Sequence, residues 1–490
     1  MEQNSCTSHY RKKLSFFWSV LPMVIMLGGI SIGYFIFNIR AEPMILMGTA
    51  AASFIAIAHG YTWDDILQSI CNKISEALPV ILIVASIGFL IGSWMVSGTI
   101  PMMIYYGLKW INPQYFYISA FMLGALISVC TGTSWGSIGT VGIAMIGVAI
   151  GLNVSLPIAA GAIVSGCWFG DKLSPVSDST NMAALAAGVN LYSHIGHLLW
   201  TTGPGFIICC VVYSYMGMGI DAAVSAPENI TQLMNAIGQI YQFNLLLLLP
   251  PIIVLYGSLS KKPPIPMLFL STIVSMILAL VFQQFSASSV GESVVSGFKL
   301  AMLTGDPVPA LSSDVSRLLE RGGAISMFSS FVTVFSAFSF AGAMSATGSL
   351  HTVINALTKG VKSTFRLVAT TIVTTFTICA CTANGTLPLL LCGDAFKDEY
   401  KKRGLAAKNL SRTTEDAGTV VEPIIPWSAS GVYCATMLGV TTLDYLPWAI
   451  LCYSGVIFAL LWAATGIGIA NYESNELNTN RVVQESYSDK

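Results

Sequence analysis

Apolar residues in this chain gather into long unbroken stretches, with neither the alternation of a half-buried strand nor the spaced stripe of a helix on a water-soluble core. The runs fall at 16–37, 43–58, 77–96, 115–129, 138–150, 156–169 and 194–216, and again at 240–259, 266–282, 324–344, 365–380, 387–391, 431–438 and 445–469. A helix needs about 20 apolar residues to cross the hydrocarbon core, so the long runs predict spanning helices, and several others are too short to cross alone. Two pairs of short runs are each interrupted by a small, polar tip, at 131–136 (Thr-Gly-Thr-Ser-Trp-Gly) and 381–386 (Cys-Thr-Ala-Asn-Gly-Thr). Each pair predicts a re-entrant helical hairpin. After each tip an apolar run is broken by a polar stretch containing proline, at 170–181 and 415–428. The tips lie 251 positions apart, from Thr131 to Thr382, and the breaks 245 apart when measured from Asp171 to Asp416. Interrupted hydrophobic segments at matching places in two halves point to a transporter with its site where the broken helices meet.

Composition sharpens this. Of 490 residues, 54% are hydrophobic and 10% charged, against about 25% charged in soluble domains. That is too few to build a water-facing surface, which excludes a soluble enzyme. The expected fold is an all-α polytopic membrane protein of two inverted structural repeats, each with a re-entrant helical hairpin and a broken transmembrane helix. Residues 1–15 are a cytoplasmic tail, 16–217 the first repeat, 218–239 an external connection, 240–470 the second repeat and 471–490 a second cytoplasmic tail.

The inversion is read from charge, because short cytoplasmic loops are enriched in Lys and Arg. Arg11, Lys12 and Lys13 place the N-terminus inside. Only Lys109 flanks the first hairpin, while Lys359, Lys362, Arg366, Lys397, Lys401, Lys402, Arg403, Lys408 and Arg412 flank the second. The first hairpin then enters from outside and the second from the cytoplasm. Asp221 and Glu228 lie in a connection without basic residues, and Lys261 and Lys262 mark a cytoplasmic turn. The stretches 64–76 and 291–303 are amphipathic enough to lie along the interface, although a connecting helix has the same pattern. Trp110 and Trp448 near run ends suit an interfacial role.

A net charge of −1 gives no field to recruit nucleic acid. The eleven cysteines include no Cys-Xaa-Xaa-Cys pair or zinc spacing, and those inside apolar runs read as small buried side chains. Neither tip carries the Gly-Lys-Ser/Thr ending of a phosphate loop, so no nucleotide-driven pump is indicated.

Irregular backbone at membrane depth persists only where protein or a wet cavity satisfies it. Freed carbonyls at the tips and breaks, with Thr131, Thr133, Ser134, Ser174, Ser177, Ser179, Thr180 and Asn181 in the first half, offer hard oxygen ligands for a small alkali cation. Thr382, Asn384, Thr386, Thr419, Ser428 and Ser430 offer the same in the second. Charged residues inside membrane segments are costly and usually functional. Asp171, Asp178, Asp416 and Glu422 all sit in the breaks, with Lys172 and Glu415 beside them. A carboxylate taken out of water can hold a proton near neutral pH and trade it for a cation. The plainer reading of such acids is capping of half-helices. His194 and His197 share a helix face and could relay protons, but such pairs, like His59 and His351, more often serve packing.

At this point a family is recognisable. The motif 131–144 (Thr-Gly-Thr-Ser-Trp-Gly-Ser-Ile-Gly-Thr-Val-Gly-Ile-Ala), then 169–181 (Phe-Gly-Asp-Lys-Leu-Ser-Pro-Val-Ser-Asp-Ser-Thr-Asn), resembles the NhaC-type sodium/proton antiporters. So do 411–420 (Ser-Arg-Thr-Thr-Glu-Asp-Ala-Gly-Thr-Val), Ile-Pro-Trp at 425–427 and 438–448 (Leu-Gly-Val-Thr-Thr-Leu-Asp-Tyr-Leu-Pro-Trp). The resemblance implies a secondary antiporter of the ion-transporter fold that exchanges sodium, or lithium, for protons at one shared site, with no cofactor. It implies a plasma-membrane protein whose partners are the lipid bilayer and small inorganic cations, with a homodimer as the one assembly left open. It makes Asp171, Ser174 and Asp178 the first-half site and Asp416 and Thr419 its counterpart, with Na+ held by Asp171, Asp178 and Asp416. The family usually has a small residue before the proline of the second motif; this chain has Glu422, which reads as a cap because Asp171 is already matched by Asp416. Some relatives resemble malate/lactate exchangers, so the alternative is a sodium- or proton-coupled organic anion exchanger. A membrane-embedded hydrolase lacks its His-Glu-Xaa-Xaa-His or Gly-Xaa-Gly-Asp motif here, and a passive channel is opposed by the paired broken helices.

Overall fold

A computed structural model describes residues 14–37, 39–220, 234–235, 237–260, 262–283, 285–302, 320, 322–357 and 363–472. The basic residues Arg11, Lys12, Lys13, Lys261, Lys359 and Lys362, the acids Asp221 and Glu228, the His351 side chain and both tails lie outside the described part. Within it every regular element is helical, as lipid demands of backbone groups that have no water to bond, apart from one isolated bridge between Leu405 and Asn471.

The first half contains α1 (Phe16–Phe37), α2 (Ala41–Ala58), α3 (Trp63–Val96), α4 (Thr99–Trp110), α5 (Phe116–Thr131), α6 (Ser134–Ser137), α7 (Ile143–Gly151), α8 (Leu156–Leu173), α9 (Asp178–Ala187) and α10 (Leu191–Met218). The second contains α11 (Leu249–Leu259), α12 (Pro264–Phe282), α13 (Ala287–Ser296), α14 (Phe328–Ala346), α15 (Ser349–Leu357), α16 (Thr364–Thr382), α17 (Thr386–Lys402), α18 (Ala407–Ala417), α19 (Ala429–Leu438), α20 (Thr442–Tyr445) and α21 (Ile450–Thr465). Among the described residues nine helical segments are long and apolar enough to cross a membrane, or ten if the bent pair Thr442–Trp448 and Ile450–Thr465 is one span. The protein is a multi-pass membrane protein.

Three elements differ from the sequence pattern. The stretch 64–76 is the opening of α3, a single 34-residue helix started by a capping box between Thr62 and Asp65 and carried through Pro79. Run 240–259 is not one helix: an Asn244-capped 3-10 turn over Leu245–Leu248 precedes α11, whose first turn holds Pro250 and Pro251. Both arms of the first hairpin, Pro113–Thr131 and Ser134–Gly151, reach 19 and 18 residues and are long enough to cross, because helix continues past the apolar run on either side.

The internal repeat is visible at the level of single residues, and most boundaries of the tip and break region share one register, the exceptions being the starts at Ser134 and Thr386 (252 apart) and the ends at Leu173 and Ala417 (244 apart). Helices end at Thr131 and Thr382, at Gly151 and Lys402, and at Ala187 and Leu438; they begin at Leu156 and Ala407, at Asp178 and Ala429, and at Leu191 and Thr442. Each of these pairs is 251 apart. The left-handed residues that close helices recur at Gly132 and Ala383 and at Gly188 and Gly439, and the N-cap serines at Ser177 and Ser428. Side-chain bonds repeat as well: Thr131 Oγ1 donates to the Thr133 carbonyl and Thr382 Oγ1 to that of Asn384, while Ser128 reaches the Cys167 carbonyl and Cys379 that of Gly418. The breaks therefore share the spacing of the tips. Asp171 corresponds to Glu422, Pro175 to Pro426 and Ser177 to Ser428, whereas Asp416 corresponds to Ser165. The spacing of 245 taken between Asp171 and Asp416 joined two acids that occupy different places in their repeats.

Packing separates a flank from a centre. α1 and α11 lie against α2 and α12, and α14 and α12 pack on α3. The centre is built on α18, which is enclosed by α9, α10, α16, α17 and α21.

Candidate functional site

Each tip is a helix end turned by one left-handed residue. At the first, Gly132 has φ 67° and a Cβ there would meet the Val176 side chain and backbone at 2.6 and 2.8 Å, so glycine lets the tip touch the break. At the second, Ala383 takes the same conformation at φ 55°. The helices restarting after the tips are capped by Thr133, which accepts from Gly136 N, and by Asn384, which accepts from Thr386 N and Leu387 N at 2.8 and 3.0 Å. After α6, a wide turn with π geometry at Ile138–Gly142 leads into α7; such turns interrupt helices often at functional sites.

Asp171 lies in the last turn of α8 and accepts a 3.0 Å hydrogen bond from the Ser134 hydroxyl at the start of α6. Ser174 ends α8 and donates to the Val129 carbonyl of α5 at 2.8 Å, pinning break to hairpin. Thr131 is buried and lies within reach of the Ser128 and Thr133 carbonyls and the Ser137 hydroxyl. Asp178 is exposed in the first turn of α9, and with Thr131, Gly132, Thr133, Trp135 and Lys262 it lines a cavity of about 420 Å³. Asn181 is exposed and folds back to the Pro175 and Ser177 carbonyls.

In the second half, the Thr419 carbonyl accepts from the Trp168 indole of α8 at 2.9 Å, so the helix leading into the first break touches the second break directly. Glu422 is buried and its Oε1 accepts from Ser430 N at 3.3 Å. Asp416 is fully buried and paired with Lys172 of α8, and a Cβ at Gly455 of α21 would meet its Oδ1 at 2.4 Å. Its Oδ2 has no hydrogen-bond partner among the described residues. The sequence grouped Asp171, Asp178 and Asp416 around one cation; among the described residues no three His, Cys, Asp or Glu side chains converge as a metal cluster. Asp171, Ser134, Thr131 and Thr133 gather at the first tip, Glu422, Asn384 and Thr382 at the second, and Asp416 belongs to a buried ion pair between them.

That ion pair is part of a network the sequence underrated. His194 Nε2 of α10 lies 2.6 Å from Glu415 Oε2, His194 Nδ1 lies 2.8 Å from the Ser411 hydroxyl, and Thr180 of α9 donates to Glu415 Oε1 at 3.1 Å. His197 meets Asn409 at 3.1 Å, and the buried Arg412 donates to the Gly468 carbonyl at 2.7 Å. Lys172 of the first repeat pairs with Asp416 of the second, so this buried charge is matched across the two repeats, as charges taken out of water require. The signal in the sequence was Lys172, Glu415 and Arg412 inside otherwise apolar or hydroxyl-rich segments. The partners of Lys172 and Glu415 are more than 200 positions away, and that of Arg412 is 56 positions away.

Two helices broken at equivalent places, their ends facing carboxylates and hydroxyls inside a bundle of spanning helices, define a membrane transporter with its site at the repeat interface. Residues 166–467 match the Na+/H+ antiporter family. The chain is similar to a Haemophilus influenzae protein described as an uncharacterized Na(+)/H(+) antiporter, 48% identical over 95% of this chain and 99% of the relative. It is 33% identical to the Na(+)/H(+) antiporter NhaC of Alkalihalophilus pseudofirmus, over 94% and 98%, and 30% identical to a malate-2H(+)/Na(+)-lactate antiporter of Bacillus subtilis, over 95% and 98%. The chain belongs to the Na+/H+ antiporter family.

Proposed function

We propose that the protein exchanges sodium for protons across the plasma membrane, with both ions competing for one site at the first tip. Asp171 carries this reading. It is a carboxylate held at a helix break by the Ser134 hydroxyl, and the tip that carries Ser134 also carries the Thr131 and Thr133 hydroxyls and free carbonyls, hard oxygen donors of the kind an alkali cation prefers. Only the ionised carboxylate offers Na+ its charge, and a proton on it displaces the cation, so exchange needs no further coupling device. The Asp178-lined cavity of about 420 Å³ supplies a wet approach to the same tip. Both termini lie in the cytoplasm, and the two repeats run antiparallel across the bilayer, as the basic flanks of the second hairpin support.

A second reading, exchange of an organic anion, is favoured by the malate/lactate relative and by a larger cavity of about 790 Å³ lined by Arg40, Ser330, Thr333, Thr436, Thr441 and others. Proteoliposomes with an internal pH dye separate the two. Sodium addition should dissipate an imposed pH gradient; equal dissipation by malate or lactate without sodium would overturn sodium/proton exchange in favour of the second reading.

A further inference from the structure

The repeat register gives Glu422 a meaning that its place in the sequence did not. Asp171 and Glu422 are counterparts, and so are the tip residues that face them, Ser134 and Gly385. In the first half the tip supplies a hydroxyl 3.0 Å from the shorter acid. In the second the tip has no side chain, the acid is one methylene longer, and it fills that space: a Cβ on Gly385 would stand 2.6 Å from Glu422 Oε2. Ser428 caps α19 by accepting from Gly431 N at 2.9 Å, as Ser177 does for α9, so Glu422, which accepts from Ser430 N at 3.3 Å, is a second acceptor at that helix start with its Oε2 left toward the tip. One side chain spans the two arrangements. The Trp135 indole, next to Ser134, donates to the Ser430 hydroxyl at 3.1 Å, and Ser430 N donates to Glu422. Trp135 is also stacked on Tyr433 with ring centroids 4.3 Å apart, and the Tyr433 hydroxyl donates to the Trp135 carbonyl at 2.6 Å.

We propose that Glu422 is the sodium-binding carboxylate of the second half, equivalent to Asp171, and that Trp135 links occupancy of the two. This extends the shared site from one carboxylate to two and rests on the sodium/proton reading. Asp416, which has no acidic counterpart, serves as the counter-ion of Lys172. The linkage is physical: a cation drawing Glu422 toward itself moves Ser430, and through the indole moves the tip that carries Ser134 against Asp171.

The test is sodium activation of proton flux by the full-length protein in proteoliposomes. Wild type should be sigmoidal with a Hill coefficient approaching about 2, and Glu422→Gln should fall to about 1. Trp135→Phe, which keeps a ring and loses the indole donor, should also fall toward about 1. Should Glu422→Gln fail to fold, Glu422→Asp should raise half-saturating sodium roughly tenfold, and Gly385→Ser with Glu422→Asp, which rebuilds the first-half pair, should restore it. A wild-type Hill coefficient of one, or wild-type sodium activation in Glu422→Gln or Glu422→Asp, would overturn the inference. Wild-type protein that does not couple sodium to protons at all would instead overturn the underlying reading.

Discussion

Neutralising Asp416 separates a counter-ion from a cation ligand. The Lys172 and Asp416 side chains are 2% and 0% exposed, so Asp416→Asn leaves an ammonium group without a charged partner and without water. The surroundings offer little relief: Gly455 closes one side of Asp416, and Arg412, one turn earlier on α18, is a second buried cation, two of whose nitrogens have no hydrogen-bond partner among the described residues. Removing one partner of a buried pair costs about 3–5 kcal/mol, whereas replacing both with neutral groups of similar volume is often harmless. Asp416→Asn should therefore lose about that much stability, and adding Lys172→Met should recover most of it. Unfolding of the purified variants, followed by tryptophan fluorescence in a detergent–denaturant series, measures the cycle. The same preparations in liposomes report transport, which the double variant should regain at least in part. The counter-ion assignment is refuted if Asp416→Asn stays within roughly 0.5 kcal/mol of wild type, or if the double variant recovers stability with no transport.

Three further outcomes are expected. Asp171→Asn should abolish sodium-driven proton flux in protein that inserts and folds normally, and in wild type half-saturating sodium should fall as pH rises, levelling once the carboxylate is ionised; pH-dye flux at several pH values checks both, and a sodium affinity independent of pH would speak against a shared site. With the exposed Cys71 and Cys130 replaced, a cysteine at Asn153 should react with an impermeant reagent from outside and one at Lys402 should not; the reverse pattern removes the antiparallel arrangement. Gly385→Ala places a methyl 2.6 Å from Glu422 Oε2 and 2.9 Å from the Thr419 Cα, and should cost about 1–3 kcal/mol, while Gly196→Ala, with nothing within 4 Å, should be near neutral by the same unfolding assay.

What the sequence disclosed was what repeats over short distances. Unbroken apolar runs located α1, α2, α5, α10 and α12 almost to the residue, and the tips and breaks stood out because small and polar residues interrupted them. The register of the repeat was missed because acids drew the comparison, while the structure keeps its register with caps and hydroxyls: Ser177 and Ser428, Thr131 and Thr382, Gly188 and Gly439. The partners of Lys172 and Glu415 were invisible because ion pairs between elements have no fixed spacing in sequence. The amphipathic opening of α3 fits an interfacial piece or a connecting helix equally well from sequence, because polarity changes at Glu76 although the helix does not end there.

The constant offset between the halves has a consequence for how this chain tolerates change in length. From Ser128 to Asn190 and from Cys379 to Thr441, neither segment has gained or lost a residue relative to the other. Side chains diverged freely in that window; backbone count did not. A single inserted residue in either segment would turn every later helical position by about 100° and carry half the polar groups away from the interface they share. The ruler is internal to one molecule, and it marks some sixty positions per half where substitution is negotiable and insertion is not.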